Sequence, residues 1–204
     1  MKDFPTGASS IYTDSSSAWI GSEESGLYKY DMSRLEKPKL VKHYIYNSED
    51  TQSFTSSSVS CLQQHNGRMF IGTNGDGIFQ HLGNEKFKRI TFEDGLPSNN
   101  IISLAPASDS LLWALTKEGV SLINYSSGEV KNLSKEEGLG VFIESQNSLV
   151  STQNGNAMIL GRDGHYFINK DLIYINEHEE FVSIESVSLI DKNNKKYPIK
   201  KENI

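Results

Sequence analysis

A single cysteine, Cys61, stands among 204 residues, so no disulfide can form within the chain and no cysteine-based zinc site can be assembled. It lies in an apolar-alternating stretch beside Val59 and Leu62, the setting of a buried, inert thiol rather than a nucleophile. No apolar run approaches the ~18 residues of a membrane-spanning helix, and residues 1–20 lack the basic start and apolar core of an export signal. Taken at face value the chain stays in the cytoplasm. Positive charge is also scarce: 20 Lys and Arg against 26 Asp and Glu leave a net charge of −6, which argues against a nucleic-acid or anionic-membrane surface. The one lysine-rich stretch, Lys192 to Lys201, surrounds Asn193, Asn194 and Pro198 and reads as a solvated hairpin tip. No segment carries a 3.6-residue apolar stripe, so helices contribute little. Nucleophile elbows, phosphate loops and paired catalytic carboxylates are missing, and His43, His65, His81, His165 and His178 are scattered. No metal, cofactor or catalytic residue is therefore expected.

What the chain has instead is a recurring segment. An apolar doublet runs into a small residue and then, a few positions on, a glycine opens a second apolar run. The copies are Trp19-Ile20-Gly21-Ser22 with Gly26, Phe70-Ile71-Gly72-Thr73 with Gly77, Trp113-Ala114-Leu115-Thr116 with Gly119, and Met158-Ile159-Leu160-Gly161 with Gly164. Their anchors lie 51, 43 and 45 residues apart. A recurrence of about forty residues holding only short strands is the pattern of propeller blades. The anchors Trp19, Phe70, Trp113 and Met158 occupy one position of the repeat, which points to packing between blades rather than to a shared aromatic box.

The expected fold is all-β: a partial β-propeller of about four blades, each a four-stranded antiparallel meander, plus a C-terminal β-hairpin segment. The blades cover about residues 9–45, 58–93, 100–134 and 146–176. Asn66-Gly67 and Asn74-Gly75-Asp76-Gly77 supply hairpin turns in the second blade. In the fourth, Leu172–Ile175 is a weak final strand. A polar, serine-rich insertion from Ile45 to Ser58 accounts for the one long spacing. Beyond Glu180 an alternating run, Phe181 to Ile190, turns toward Tyr197-Pro198-Ile199 as one strand and the start of its partner.

Between the second and third blades the chain reads Phe92-Glu93-Asp94-Gly95-Leu96-Pro97-Ser98-Asn99-Asn100-Ile101, echoed by Lys135-Glu136-Glu137-Gly138-Leu139. Joined to the Trp/Phe-Ile-Gly-Ser/Thr strands, this resembles the two-component regulator propeller repeat over about residues 10–170. The third and fourth copies depart from it, with Trp-Ala-Leu-Thr and Met-Ile-Leu-Gly. The resemblance implies the periplasmic sensor region of a hybrid two-component histidine kinase, in which the last propeller leads to an immunoglobulin-like domain named for three tyrosines. Residues 1–176 would then be blades and 177–204 the incomplete start of that domain. The segment Ile173-Tyr174-Ile175-Asn176 is similar to its entry. This sequence holds no membrane span, phosphoacceptor histidine motif, nucleotide-binding glycine box or receiver aspartate, so kinase chemistry is carried over to no residue. The expectation is a fragment, with blade edges open to self-association.

Strand direction alternates, so the turn between strands two and three of each blade emerges at the same end as the crossover to the next. Propellers present ligand-binding loops on such an end. It would carry Asn74, Asp76, Ser98, Asn99, Asn100, Lys117, Arg162 and Asp163, with Glu23, Glu24 and Glu118 beside them. Short amides, carboxylates and cations are the groups that hydrogen-bond sugar hydroxyls, although tight turns demand many of the same residues. The function this supports is ligand sensing in two-component signal transduction, with an oligosaccharide as the ligand. A protein-interaction scaffold is the alternative, and a glycan-active propeller enzyme a distant third.

Overall fold

The computed structural model describes residues 5–34, 36–45, 53–134, 139, 148–161, 164–174, 188–190 and 196–198. The first sheet is β1 (Ala8–Thr13), β2 (Ser17–Ser22), β3 (Gly26–Asp31) and β4 (Lys39–Tyr44), the second β5 (Val59–His65), β6 (Arg68–Thr73), β7 (Ile78–Gly83) and β8 (Lys86–Ile90). The third is β9 (Ile101–Ser108), β10 (Leu111–Thr116), β11 (Gly119–Asn124) and β12 (Val130–Ser134). Each is an antiparallel meander in sequence order. A three-stranded sheet of β13 (Leu149–Ser151), β14 (Ala157–Leu160) and β15 (His165–Ile168) follows, and β16 (Ser188–Ile190) pairs with β17 (Lys196–Pro198) in a separate hairpin. The fold is thus a partial β-propeller with a C-terminal hairpin.

The second and third sheets are apolar on both faces because each packs between two neighbours. Trp19 and Leu27 meet Met69, Ile71 and Phe79 of the second blade. Phe70 and Ile78 meet Leu112, Ala114 and Ile123 of the third, and Trp113, Leu115 and Val120 meet Leu149, Ala157 and Ile159 of the fourth. The first residue of each doublet therefore faces forward and its neighbour faces back. Trp19, Phe70 and Trp113 are 5%, 0% and 0% exposed, whereas Met158, with no described blade ahead of it, is 41% exposed. Its cross-strand partners Val150 and Phe167 are exposed with it.

The small residue after the doublet sets the spacing. A Cβ on Gly21 would stand 2.3 Å from Val59 Cγ1, and one on Gly72 would stand 2.4 Å from Cys61 Sγ and 2.8 Å from Ile101 Cγ2. Only glycine lets the inner strand of the next blade come this close. In the third blade the position is Leu115, fully buried in the seam with Leu149. Polar stitches run along the same seams. Ser9 Oγ donates to the Val59 carbonyl at 2.6 Å, Leu62 N donates to Ser10 Oγ at 3.1 Å, and Trp113 Nε1 donates to the Gly155 carbonyl at 2.8 Å.

Two expectations are corrected. Lys170–Tyr174 is a short helix, α1, and Leu172 lies within it rather than in a fourth strand. Asn169 starts it: its Oδ1 accepts from Asp171 N and its carbonyl from Leu172 N, while Asn156 Oδ1 accepts from Lys170 N. The serine-rich insertion is not wholly polar in role, because Phe54 is fully buried against Phe79 and Phe87, with ring centroids 4.8 and 5.6 Å away. Ile175, the 135–138 echo and residues 177–187 lie outside the described residues.

Gly77 opens β7 at φ +79°, and a Cβ there would meet the Ile90 carbonyl at 2.3 Å. Gly77→Ala should therefore cost roughly 2–3 kcal/mol in denaturant unfolding. Gly67→Ala, at φ +72° with nothing within 4 Å, should cost only about 1 kcal/mol.

Candidate functional site

The crossover end is built around three fully buried hydroxyls that close the turn after the doublet in the first three blades. Ser22 Oγ accepts from Glu24 N and Ser25 N, and Thr73 Oγ1 accepts from Asp76 N while donating to the Gly77 carbonyl. Thr116 Oγ1 accepts from Glu118 N and Gly119 N and donates to the Gly119 carbonyl. A side-chain oxygen at this point satisfies turn amides that a tight reversal would leave unpaired.

Five of the expected site residues come together here. The Asn99 carbonyl accepts from Gly75 N and Gly77 N, and Asn74 bridges to Asn100, so the β6–β7 turn is clamped to the following crossover. Asn99 Oδ1 accepts from Phe92 N at 2.7 Å, and Ser98 Oγ accepts from Asn100 N at 3.1 Å. Asp76 binds Arg89 twice: Oδ1 to Nη2 at 3.0 Å, and its carbonyl to Nε at 2.7 Å. Exposed Asn74 reaches Ser58 Oγ through Nδ2 at 3.2 Å. Lys117 is exposed in the β10–β11 turn of the next blade, and Glu23 and Glu24 are exposed in the β2–β3 turn. Arg162 and Asp163 lie outside the described residues.

The crossover motif itself is architectural. Thr91 caps a 3₁₀ turn, Phe92–Asp94, in a reciprocal capping box, and Gly95 ends it at φ +105°. Leu96 is buried in the seam between the second and third blades, and Asn132 Nδ2 donates to the Gly95 carbonyl at 2.7 Å.

Two concave regions lie apart from these turns. A cavity of about 670 Å³ runs along the inner strands, lined by Ser9 and Ser10, Cys61 and Gln63, Ser103 and Ser151 among others. Cys61 is 4% exposed, and burial pushes its thiol up to about 12. A second cleft, at the opposite end from the crossovers, opens between the first two blades and is lined by Trp19, Lys29 and His81. Sequence reading misses these last two. Lys29 and His81 alternate with seam residues, Leu27-x-Lys29 and Phe79-x-His81, so the period-2 pattern does put them on interblade faces. Among the described residues, no group of three or more His, Cys, Asp or Glu is placed to share a metal ion.

No protein-family model matches the chain, and none of the curated proteins matches it. Solved structures do. The extracellular domain of the hybrid two-component system BT3049 from B. thetaiotaomicron is 22% identical, with a TM-score of 0.65 over 92% of this chain and 25% of that one. The extracellular domain of the hybrid two-component system BT4673 from the same organism is 17% identical, with a TM-score of 0.60 over 97% of this chain and 26% of that one. The computationally designed protein Ika4 is 12% identical, with a TM-score of 0.57 over 83% of this chain and 96% of that one. These likenesses are of fold, and the chain spans about a quarter of the two bacterial domains.

Burial, followed by the Lys29 charge, lowers the His81 pKa below its ordinary 6.5. The unfolded chain then takes the proton first, so this contribution to stability is full above pH 6.5 and is lost as pH falls through the lowered value. His81→Gln should flatten the fall in melting temperature between about pH 7 and 5, measured against the parent chain.

Proposed function

We propose that the chain is part of an extracytoplasmic, non-catalytic sensing region of a two-component signalling system. Carbohydrate is the ligand, and the crossover end, with Asn74, Asp76, Asn100 and Lys117, is the contact surface. The observation that carries the reading is the likeness of fold, over 92% and 97% of the chain, to extracellular domains of two such systems. The resemblance to the two-component regulator propeller repeat supports it, as does the β16–β17 hairpin where an immunoglobulin-like domain would begin. No helix among the described residues is long and apolar enough to cross a membrane.

A protein-binding scaffold is the second reading. The exposed row Val150, Met158 and Phe167 favours it, since three aligned apolar side chains on a sheet face with no described blade upon it invite a protein partner or a second copy.

Thermal-shift and calorimetric titration against a panel of neutral oligosaccharides separates the two. Sensing predicts that a defined saccharide binds and that Asn74→Ala weakens it about fivefold, roughly the loss of one hydrogen bond, with little change in melting temperature. A chain that binds no saccharide but sediments as a concentration-dependent oligomer would overturn sensing in favour of the scaffold.

A further inference from the structure

The seams between the described blades differ at the end opposite the crossovers. Between the second and third blades, His65 Nε2 donates to the Ser108 carbonyl at 2.6 Å and Asn66 Nδ2 to the Asp109 carbonyl at 2.7 Å, both reaching the β9–β10 turn. Arg68 stacks over the Tyr125 ring at 5.3 Å across the same seam. Between the third and fourth, Trp113 Nε1 donates to the Gly155 carbonyl in the β13–β14 turn. Among the described residues the first seam has no such stitch. Trp19 stands at the repeat position of Trp113, yet its indole N–H donates to no described acceptor, and the side chains of Tyr12, Gln64 and His81 around it make no hydrogen bond with a described residue either.

A cleft of about 560 Å³ occupies that end of the first seam instead. Across it run an exposed ion pair, Lys42 Nζ to Glu85 Oε2 at 2.6 Å, and two edge-on ring contacts, His81 to Trp19 and Tyr44 to Phe87, each at 5.2 Å. An exposed ion pair adds little and is screened by salt. At the crossover end the same seam is tight. Ser9 Oγ donates to the Val59 carbonyl, Ser10 Oγ accepts from Leu62 N, Gly26 N donates to the Ser57 carbonyl at 2.9 Å, and Gly21 lies against Val59. One end is fastened by hydrogen bonds and the other is not, which is the geometry of a hinge. Trp19 and Leu27 still pack on Met69, Ile71 and Phe79, so the closed arrangement is the ground state.

We propose that the first blade swings as a unit on this hinge, opening the first seam at the cleft while the second, third and fourth blades move as one body. Lys42 and Glu85 are its latch, and the strip from Ser9 and Gly21 to Val59 is its pivot. In a stacked array each blade positions the next, so one soft seam gathers the movement into a single place. The device stands whether or not the crossover end takes a carbohydrate.

Thiol labelling of the full chain under native conditions tests it. Ile71→Cys puts a thiol in the first seam, while native Cys61 and Ala114→Cys, at the same repeat position as Ile71, each supply one in the second. Ile71 and Ala114 are 0% exposed and Cys61 is 4% exposed, so static access does not favour the first seam. Iodoacetamide should modify the thiol of Ile71→Cys at least about tenfold faster than either thiol in the second seam, read site by site from peptide masses. Glu85→Gln should speed it a further two- to fivefold, roughly the worth of an exposed ion pair, and leave Cys61 unchanged. Hydrogen exchange on the parent chain separates swinging from fraying, since a blade that moves whole keeps its β2–β3 ladder protected to within about fivefold of the β6–β7 ladder. Circular dichroism establishes that each variant is folded, and Met69→Cys, in the same seam, replaces Ile71→Cys if that chain does not fold. Labelling of the two seams at rates within about tenfold of each other, no response to Glu85→Gln, or a β2–β3 ladder less protected than stated would overturn the proposal.

Discussion

The seam between consecutive blades is the constraint on which the rest of this structure depends. A forward-facing aromatic, Trp19, Phe70 or Trp113, fills each seam, and its neighbour packs backward onto the preceding blade. Where the next inner strand sits closest, Gly21 leaves room for Val59 and Gly72 for Ile101. A blade has too little area to bury either of its apolar faces alone, so stacking along these seams is the source of its stability. The exposed row on the fourth blade is the same forward face without a described blade upon it.

The seam also governs the polar residues. Once the β-sheets are fixed at this spacing, each turn at the crossover end must close tightly over the strand ends. Ser22, Thr73 and Thr116 do so with buried hydroxyls. Asn99 and Ser98 tie the crossover to the turn beside it, and Asp76 holds Arg89. Much of the polarity at this end therefore has a structural cause. The side chains of Lys29, Gln64, Tyr12 and His81 at the far end make no hydrogen bond with a described residue, which is what makes their cleft chemically distinct.

Most of the fold was legible in the sequence because blade strands are short, alternating and separated by glycine-rich turns. Asn66-Gly67 and the Trp/Phe-Ile-Gly doublets each have one physical meaning, and the structure gives them that meaning. Leu172 was not legible, because its apolar neighbours fit a strand while Asn169, immediately after β15, caps a helix instead. Phe54 was masked by the serines around it, although an aromatic in a polar insertion is itself a sign of burial. The candidate site was legible in part. Alternation of strand direction correctly gathers Asn74, Asp76, Ser98, Asn99 and Asn100, but composition alone does not distinguish an amide that holds a loop from one that awaits a ligand. Lys29 and His81 are hidden because they occupy seam positions, where the repeat leads one to expect apolar side chains.

The most direct test of the seam is a comparison at one repeat position in two environments. Urea unfolding of Trp113→Ala and Met158→Ala should give losses of about 3–5 kcal/mol and under about 1 kcal/mol respectively, since only the first side chain is enclosed by a following blade. Equal losses at the two positions would contradict the account.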